Sequence, residues 1–512
     1  MGSPNGTRFD YGQSTSIVCV HSFQEDSGIL ATGCSDNVSK ATFVSFKIIS
    51  ILEPVTFSQS EATFILQNKG LLHSNSKITL SVTTPTGHSA SNGFYPLGCG
   101  VNSLVRRAVL RVGGKEICST DDFAHLAGYT STFISSENNR QREQVLTSRG
   151  VAHDIYYRNG SDQFTGDDES DTGASYYGLQ LGKEIRHMSV SGTLHENLKL
   201  HPWQLVKHEP VFQLNLSDLF PALRTIQLPL FMMKEQVSIQ LLWTAVNPAA
   251  GLAGSRRCCL GHATGHGAEY DIKRDQVKVI ADYIYYPQDM MESYAQQNST
   301  MDFTYSDFEL SKRTLTLASA TNQVWNVGGN SKIVNKVVTM VSSASEGEGS
   351  ILNRYHALAP LKTYTGTVAD RFNGSLKTNV KYNNEFLYPV DRDNNAVHFS
   401  DVIQTEGAPM FVTREEYSNE GDTITPQKFE SLHQNGSGTN LERGLSGRFY
   451  YQGYRLNKGE RVNTRGIEVY QDYSSQDGTN ADLPAGPLEW RAYLEVIKFA
   501  RLRDGIMTTS FA

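Results

Sequence analysis

The chain has 512 residues, a formal net charge of −7 and only 19% charged residues. This length suits two to four domains, or two large β-domains of roughly 250 residues that each bury a sizeable core. The mildly acidic balance argues against a protein that grips nucleic acid over a large basic surface, and we expect no sequence-specific nucleic acid binding. No run approaches 18 apolar residues, and the polar N-terminus lacks a signal-peptide core. We therefore expect no transmembrane segment and no secretory signal.

The dominant hydrophobic period is two, which is typical of β-strands. Clean alternation predicts four strands, in chain order 77–83, 235–243, 277–285 and 313–318. Three further segments are apolar on both faces, as in strands enclosed within a core: 42–52, 333–341 and 492–499. Clusters of Gly, Asn, Asp and Ser separate the strands. Many short strands and few helices predict an all-β sandwich or barrel architecture.

Helical periodicity is confined to three short stretches between strands. Ser119 begins one of them with the pattern of a capping box, and Phe123 opens its apolar face. Ser217 is placed to cap a brief helical turn, and Pro287 is placed to open a helix over 288–297. These helices are predicted as inserts that form no layer of their own.

A stretch of small residues at 247–255 follows the strand that ends at Trp243, and its composition is typical of a flexible linker. The predicted organisation is an N-terminal arm (1–40), a first β-domain (41–248), a linker (249–274), a second β-domain (275–505) and a C-terminal tail (506–512). The two halves are alike in layout, with no residue-level repeat. Each half contains a long connection, 140–192 and 391–447, that we expect to project outward as an interaction surface.

Six cysteines in 512 residues are too few for a disulfide framework, which favours folding in a reducing compartment. The sharpest metal candidate is the group Cys258, Cys259, His262 and His266 within the linker. Zinc sites usually take two spaced pairs of ligands, whereas the side chains of adjacent cysteines diverge. We therefore treat these four residues as weak candidates and predict no metal and no other cofactor.

The motifs of common enzyme classes are incomplete. The acidic loop 167–173 resembles a calcium loop, but Gly178 stands where the closing Glu belongs. His195 and His201 are six residues apart, whereas a zinc-protease helix needs a spacing of four. No nucleophile, base and orienting group assemble at the sequence level. We therefore predict no catalytic residues and a protein that is not an enzyme.

The order of segments resembles the double jelly-roll major capsid proteins of polinton-like viruses, virophages and nucleocytoplasmic large DNA viruses, with most likeness to the small polinton-like members. The resemblance covers roughly residues 40 to 505. The segments that carry it are GVNSLVRRAVLR (100–111), GGKEI (113–117), DDF (121–123), LSDLFPAL (216–223), LPL (228–230), VSIQL (237–241), VIADY (279–283), MMESY (290–294), GYR (453–455), TRGIEV (464–469) and RAYLEV (491–496). The Cys/His linker is not part of this pattern.

The resemblance implies two consecutive eight-stranded antiparallel jelly rolls, with short helical inserts and long outward loops. It also implies a structural function. Three chains would form a homotrimer of pseudo-hexagonal outline, and such capsomers would tile an icosahedral shell around a DNA genome. Neighbouring capsomers, penton proteins and minor capsid proteins are the implied partners. The implied location is the capsid shell of a virion, made and assembled inside the host cell.

One alternative stays open from the residues alone. A secreted two-domain β-sandwich that binds or cleaves polysaccharide would also be rich in aromatic residues and in Asn, Gly and Ser loops. A hydrolase of that kind would show a cleft with two carboxylates about 5–10 Å apart and exposed aromatic side chains beside them. The missing signal peptide and the order of segments argue against it.

Overall fold

The fold is taken from a computed structural model of the chain. It describes residues 46–58, 60–81, 99–133, 211–244, 274–315, 322–343, 355–359, 376–410, 449–456, 459–473 and 488–511, and the short pieces 93–94, 146–147, 156–157, 176–177, 260–261, 272 and 417. The predicted N-terminal arm lies outside these residues.

The first half of the chain forms two antiparallel four-stranded layers. Its strands are β1 (Phe46–Leu52), β2 (Glu61–Ile65), β3 (Lys77–Ser81), β4 (Val105–Val112), β5 (Lys115–Asp121), β6 (Val211–Asn215), β7 (Val237–Trp243) and β8 (Lys278–Tyr285). Sheet 1A has the order β1-β8-β3-β6, and sheet 1B has the order β2-β7-β4-β5. Short strands at Thr56–Phe57 and Leu71–Leu72 extend sheets 1B and 1A.

The second half repeats this arrangement. Its strands are β9 (Thr300–Leu315), β10 (Asn322–Gly328), β11 (Val334–Ser343), β12 (Lys377–Tyr382), β13 (Glu385–Phe386), β14 (Gln452–Arg455), β15 (Ile467–Asp472) and β16 (Leu488–Arg503). Sheet 2A has the order β9-β16-β11-β14, and sheet 2B has the order β10-β15-β12-β13. Both halves are therefore eight-stranded jelly rolls with the same topology, as predicted.

The alternation in sequence is what buries one face of each strand. In β7 the side chains of Val237, Ile239, Leu241 and Trp243 are buried, and the residues between them are partly exposed. In the second roll the indole of Trp490 on β16 stacks on Trp325 of β10, with ring centroids 4.3 Å apart. Each roll thus has a filled interior between its two sheets.

The predicted boundary between the halves is wrong. The sequence places β8 in the second predicted domain (275–505), but β8 pairs with all of β1, from Phe46 opposite Tyr285 to Leu52 opposite Val279. The predicted linker 249–274 therefore lies in the connection between β7 and β8 of the first roll, and the change of roll falls between Tyr285 and Thr300. Alternation shows that a strand exists but not which strand it pairs with, so sequence position alone misplaced the boundary.

Two of the three predicted helices form as expected, and the third starts later. Helices α2 (Leu216–Leu219) and α3 (Ala222–Thr225) follow β6, and α4 (Gln288–Gln297) follows Pro287. Helix α1 (Phe123–Ser131) begins after Asp122, which makes no side-chain capping bond. Ser119 is part of β5, so the predicted capping box is wrong, because strand pairing with β4 uses its backbone.

Two segments are more ordered than the sequence predicted. The predicted loop 391–447 contains helix α5 (Asn395–Glu406), which is capped when the side chain of Asn394 accepts a hydrogen bond from the backbone N–H of Ala396. The predicted C-terminal tail contains strand β17 (Ile506–Phe511), which pairs with β16. Alternation in β17 is weak, but this strand still forms, because its backbone N–H and C=O groups pair with those of β16.

The strand directions divide each roll into two ends. The short connections 113–114 and 383–384 lie at one end, together with α4 and the turn after β16. The long connections from β3 to β4, β5 to β6 and β7 to β8 leave from the opposite end, and so do their equivalents in the second roll. We call this opposite end the long-loop end.

Candidate functional site: the seam between the jelly rolls

The predicted metal candidates cannot be placed. Cys258, Cys259, His262 and His266 lie outside the described residues, although Leu260 and Gly261 between them pair with Phe94 and Gly93. Among the residues that the structure describes, no group of three or more His, Cys, Asp and Glu side chains is arranged to hold a metal ion. The four-residue group stays a weak prediction.

The most concentrated polar chemistry lies where the two rolls meet. We call this contact the seam: β5 and α1 of the first roll against β9 and β16 of the second. Strands β5 and β9 run side by side in the same direction, because Ile117 lies beside Tyr305, Cys118 beside Asp307 and Asp122 beside Lys312. The long-loop ends of the two rolls therefore point the same way.

Asp307 is the centre of one seam cluster, and its side chain is only 1% exposed. Its Oδ1 accepts hydrogen bonds from the thiol of Cys118 at 3.2 Å and the backbone N–H of Phe308 at 3.0 Å. Lys498 Nζ on β16 donates to Oδ2 at 2.5 Å. Tyr305 OH donates to the carbonyl of Ile117 at 2.7 Å. These bonds join β5 of one roll to β9 and β16 of the other.

Burial sets the protonation behaviour of this cluster. It raises the pKa of the Asp307 carboxyl above its usual range, although Lys498 and the hydrogen bonds act in the opposite direction. Burial would lower the pKa of Lys498, but the adjacent Asp307 outweighs it and raises that pKa. Burial also raises the pKa of the Cys118 thiol well above its ordinary value. A thiol of this kind is unreactive, so the cluster is structural rather than nucleophilic.

Asp122 is the centre of a second cluster. Arg491 Nε lies 3.0 Å from Asp122 Oδ2, and Arg491 also bonds to Glu489 and Ser342. Lys312 Nζ lies 3.4 Å from Asp122 and 2.8 Å from Glu489. Burial would raise the pKa of Asp122, but the charges of Arg491 and its other cationic neighbours outweigh it and hold that pKa well below the usual range.

Helix α1 belongs to both hydrophobic cores. Phe123 and Ala127 join the core of the first roll, and Leu126 and Tyr129 join that of the second. The Tyr129 hydroxyl donates to Glu406 at the end of α5. Lys336 Nζ lies 2.6 Å from the same Glu406 oxygen. Helix α1 therefore packs between the two rolls and contributes side chains to both cores. Its apolar positions explain why such a short helix is deeply buried.

The turn between β16 and β17 makes a third contact between the rolls. The carbonyl of Gly505 accepts a hydrogen bond from the Lys234 backbone N–H at 2.9 Å. Glu235 Oε2 accepts from the Met507 backbone N–H at 3.1 Å. Gly505 has φ +84°, and a Cβ there would lie 2.9 Å from the carbonyl oxygen of Met232. Only glycine fits this position without strain.

The second roll also contains a buried histidine on α5. His398 on α5 lies with Nδ1 2.6 Å from Tyr450 OH and Nε2 3.0 Å from the carbonyl oxygen of Arg392. Burial lowers the pKa of His398 to about 4. The imidazole is therefore neutral at physiological pH and serves to anchor α5 against the roll.

Sequence reasoning missed the seam residues, although a signal for them exists. Arg491 lies between Trp490 and Ala492 in the run WRAYL (490–494), whose other four residues are apolar or aromatic. Asp307 lies within a long strand whose partner is the last long strand of the chain. A charge in a strand that is otherwise buried indicates an ion pair or a hydrogen-bonded site. The partner residue cannot be chosen from the sequence, because Asp122 and Arg491 are far apart along the chain.

Comparisons with known proteins bear on this arrangement. No protein family and no curated protein matches the chain by sequence. Among solved structures, the quasi-atomic model of the PBCV-1 virus capsid matches with 11% identity and a TM-score of 0.51, over 93% of this chain and 98% of that one. The chain has the double jelly-roll fold. The fold predicted from the sequence is confirmed.

Two other double jelly-roll structures are similar over comparable lengths. The Sputnik virophage structure matches with 10% identity and a TM-score of 0.48, over 96% of this chain and 93% of that one. The mavirus major capsid protein matches with 8% identity and a TM-score of 0.46, over 98% of this chain and 97% of that one. In the described part of this double jelly roll, every helix is too short or too polar to cross a membrane.

Proposed function

We propose that the protein is a viral major capsid protein. The observation that carries this proposal is the fold: two jelly rolls of identical strand order fill the described chain, and the PBCV-1 capsid structure matches it over nearly its whole length. The seam supports it, because a shell subunit needs its two rolls held at a constant angle. In this proposal the protein has no enzymatic activity and no cofactor.

The capsid function implies a specific assembly. Three chains form a homotrimer whose six jelly rolls give a pseudo-hexagonal outline, and these capsomers tile an icosahedral shell around a DNA genome. Further partners are neighbouring capsomers, penton proteins and minor capsid proteins. The protein is located in the virion shell and is made and assembled inside the host cell.

The polarity of the rolls supports an orientation in the shell. Because both long-loop ends point the same way, the connections that contain 140–192 and 391–447 leave from one side of the protomer. We assign this side to the outside of the particle, where long loops form towers and clasps between subunits. The opposite end, with its short turns, faces the interior.

Purified protein tests this function directly. We expect the mass of a trimer by light scattering coupled to size-exclusion chromatography, and hexagonal capsomers, sheets or shells by electron microscopy. A monomer at high concentration that forms no ordered assembly would contradict the proposal. Hydrolysis of polysaccharides from a test panel would instead support the alternative hypothesis of a two-domain β-sandwich that cleaves polysaccharide.

A further inference from the structure

Strand β17 contributes a single buried side chain to the fold. Met507 is 0% exposed and belongs to the core of the first roll, whereas the other five residues of the strand are exposed. The strand pairs with β16 along one edge, and in the described chain no strand pairs with its other edge. Because a segment with so little buried apolar surface opens locally at a low cost in free energy, β17 is suited to leave its place while the rest of the fold stays intact.

The place that β17 occupies is built by both rolls, and we call it the β17 site. Its base is the backbone edge of β16 from Lys498 to Arg503, which pairs with β17 over its whole length. Its wall is the segment before β7, where the Lys234 backbone N–H donates to the carbonyl of Gly505 and Glu235 Oε2 accepts from the Met507 N–H. The β17 site therefore offers hydrogen-bonding groups to both edges of an extended chain.

Two positions give the β17 site its selectivity for side chains. Met507 and Phe511 are four residues apart, so they project from the same face of the strand. Met507 lies opposite Leu502, within the apolar core. The Phe511 ring centroid lies 4.2 Å from Lys332 Nζ and 5.2 Å from Lys498 Nζ, which are favourable distances between a cation and an aromatic face. The site thus selects a long apolar side chain and, four residues later, an aromatic one.

The β17 site keeps its charges balanced when the strand is absent. Lys332 Nζ lies 2.5 Å from Glu309 Oε1, and Lys498 Nζ lies 2.5 Å from Asp307 Oδ2. Neither lysine depends on the Phe511 ring for a partner. Departure of the strand therefore leaves no unpaired buried cation, and the second roll is expected to stay folded around an open site.

Exchange of β17 for another strand costs little. An incoming strand remakes the same backbone pairs with β16, so few hydrogen bonds are lost overall. The residues that leave include Thr508, Thr509 and Ser510, which are polar and already exposed. Transfer of such residues to water carries a small penalty, so the main advantage of β17 over a competing strand is its covalent tether to β16.

These features are typical of sites that bind a partner by strand addition. In that mode, main-chain hydrogen bonds to a sheet edge supply affinity, and pockets for alternate side chains supply specificity. We propose that the β17 site is a docking site for an extended peptide segment of a second protein, and that β17 fills the site until this segment displaces it. The segment carries Met or Leu at one position and an aromatic residue four positions later. The inference goes beyond the proposed capsid function and does not depend on it.

The test uses the full chain and a fluorescent peptide, GIMTTSF, with the sequence of residues 505–511. In the wild type the peptide competes with β17, which is tethered at an effective concentration in roughly the millimolar range. Met507→Asp places a carboxylate in an apolar core, so β17 leaves a site that is otherwise unchanged. We expect fluorescence anisotropy to show that this variant binds the peptide about 10- to 100-fold more tightly than the wild type does.

Two matched controls define the specificity of the binding. Thr508→Asp changes the adjacent residue, which is exposed and lies opposite Arg501, so peptide affinity should stay at the wild-type level. A peptide with Asp at the methionine position should bind none of the proteins. Circular dichroism spectra that match the wild type establish that the variants are folded. Should Met507→Asp fail to fold, Phe511→Ala takes its place, because it weakens β17 at its exposed end and leaves the core intact.

The outcomes decide the inference independently of the capsid function. Tighter binding by the Met507→Asp protein, with wild-type affinity in Thr508→Asp, supports the β17 site. A folded Met507→Asp or Phe511→Ala protein that binds the peptide no better than the wild type overturns it, and so does equal binding of the two peptides. The capsid function is tested separately, by the trimer and the shells that the wild type forms.

Discussion

Replacing Arg491 with Met is expected to weaken the seam more than any exposed ion pair does. Arg491 is 4% exposed and bonds to Asp122, Glu489 and Ser342. Removing one partner of a buried ion pair costs about 3–5 kcal/mol, because the other charge is left desolvated. Asp122 and Glu489 are 22% and 25% exposed, and Lys312 remains beside both. We therefore expect a loss of about 3 kcal/mol at neutral pH, the lower end of that range.

The same substitution is expected to change the pH dependence of stability. Because the pKa of Asp122 is held below its usual range in the folded state, its ionised form stabilises the fold above about pH 4. This contribution is lost as the pH falls below about 4, where the unfolded chain binds the proton first. In Arg491→Met the pKa of Asp122 rises towards its ordinary value, so the decline of stability on acidification becomes shallower.

Urea unfolding followed by tryptophan fluorescence measures both effects, because Trp490 is next to Arg491 in β16. The matched control is Arg501→Met in the same strand. Arg501 pairs with Asp302 at 2.7 Å, but the two side chains are 60% and 56% exposed, so we expect little or no loss of stability. Equal losses in the two variants would refute the reasoning, since burial would then make no difference.

Three further predictions concern buried groups in the two rolls. The pKa of His398 is about 4 in the folded state, whereas the unfolded chain binds this proton at about pH 6.5. The free energy of unfolding is therefore unaffected by this group above about pH 6.5 and falls by about 3 kcal/mol as the pH is lowered towards 4. His398→Gln should flatten urea unfolding free energies across that window, and an unchanged pH profile would contradict the assignment. Gly453→Ala places a Cβ 2.8 Å from Thr405 Oγ1 and 3.1 Å from Val402 Cα, so we expect a loss of about 1–3 kcal/mol by thermal unfolding. Adding Thr405→Ala should recover part of it, and full stability of Gly453→Ala would show that α5 shifts freely. Native protein and Cys118→Ala should have the same number of thiols that react with a disulfide reagent, because the Cys118 thiol is buried with a raised pKa; one thiol fewer in the variant would show that the seam opens.

The fold was readable from the sequence because its information is local. Period-two alternation marks β7 and β8, and Pro287 marks the start of α4 within a residue. This alternation alone indicated an all-β sandwich or barrel, and the double jelly roll was implied only by the resemblance of the segments to known major capsid proteins. The helix after β5 was also found, although Ser119 pairs in the strand and does not cap it.

The parts that sequence reasoning missed depend on long-range pairing. The linker-like stretch at 247–255 suggested a change of domain, but β8 returns to pair with β1. The buried face of helix α5 is mostly polar, since it consists of His398, Asp401, Val402 and Thr405, and Asp401 pairs with Arg392, so the apolar period of the helix is weak. The seam residues depend on which roll surfaces meet, and composition carries no information on that. The metal candidates at 258–266 remain a prediction.

The pairing of first and last strands in each roll has a consequence for folding. Phe46 pairs with Tyr285, and Thr300 pairs with Arg503, so sheets 1A and 2A can form completely only when the last strand of each roll has left the ribosome. Such high contact order slows folding and leaves unpaired strand edges exposed during synthesis. Strand β1 leaves the ribosome before the other strands of the first roll, and its partner β8 is the last of those strands to follow. We therefore expect the nascent first roll to depend on chaperones until β8 arrives.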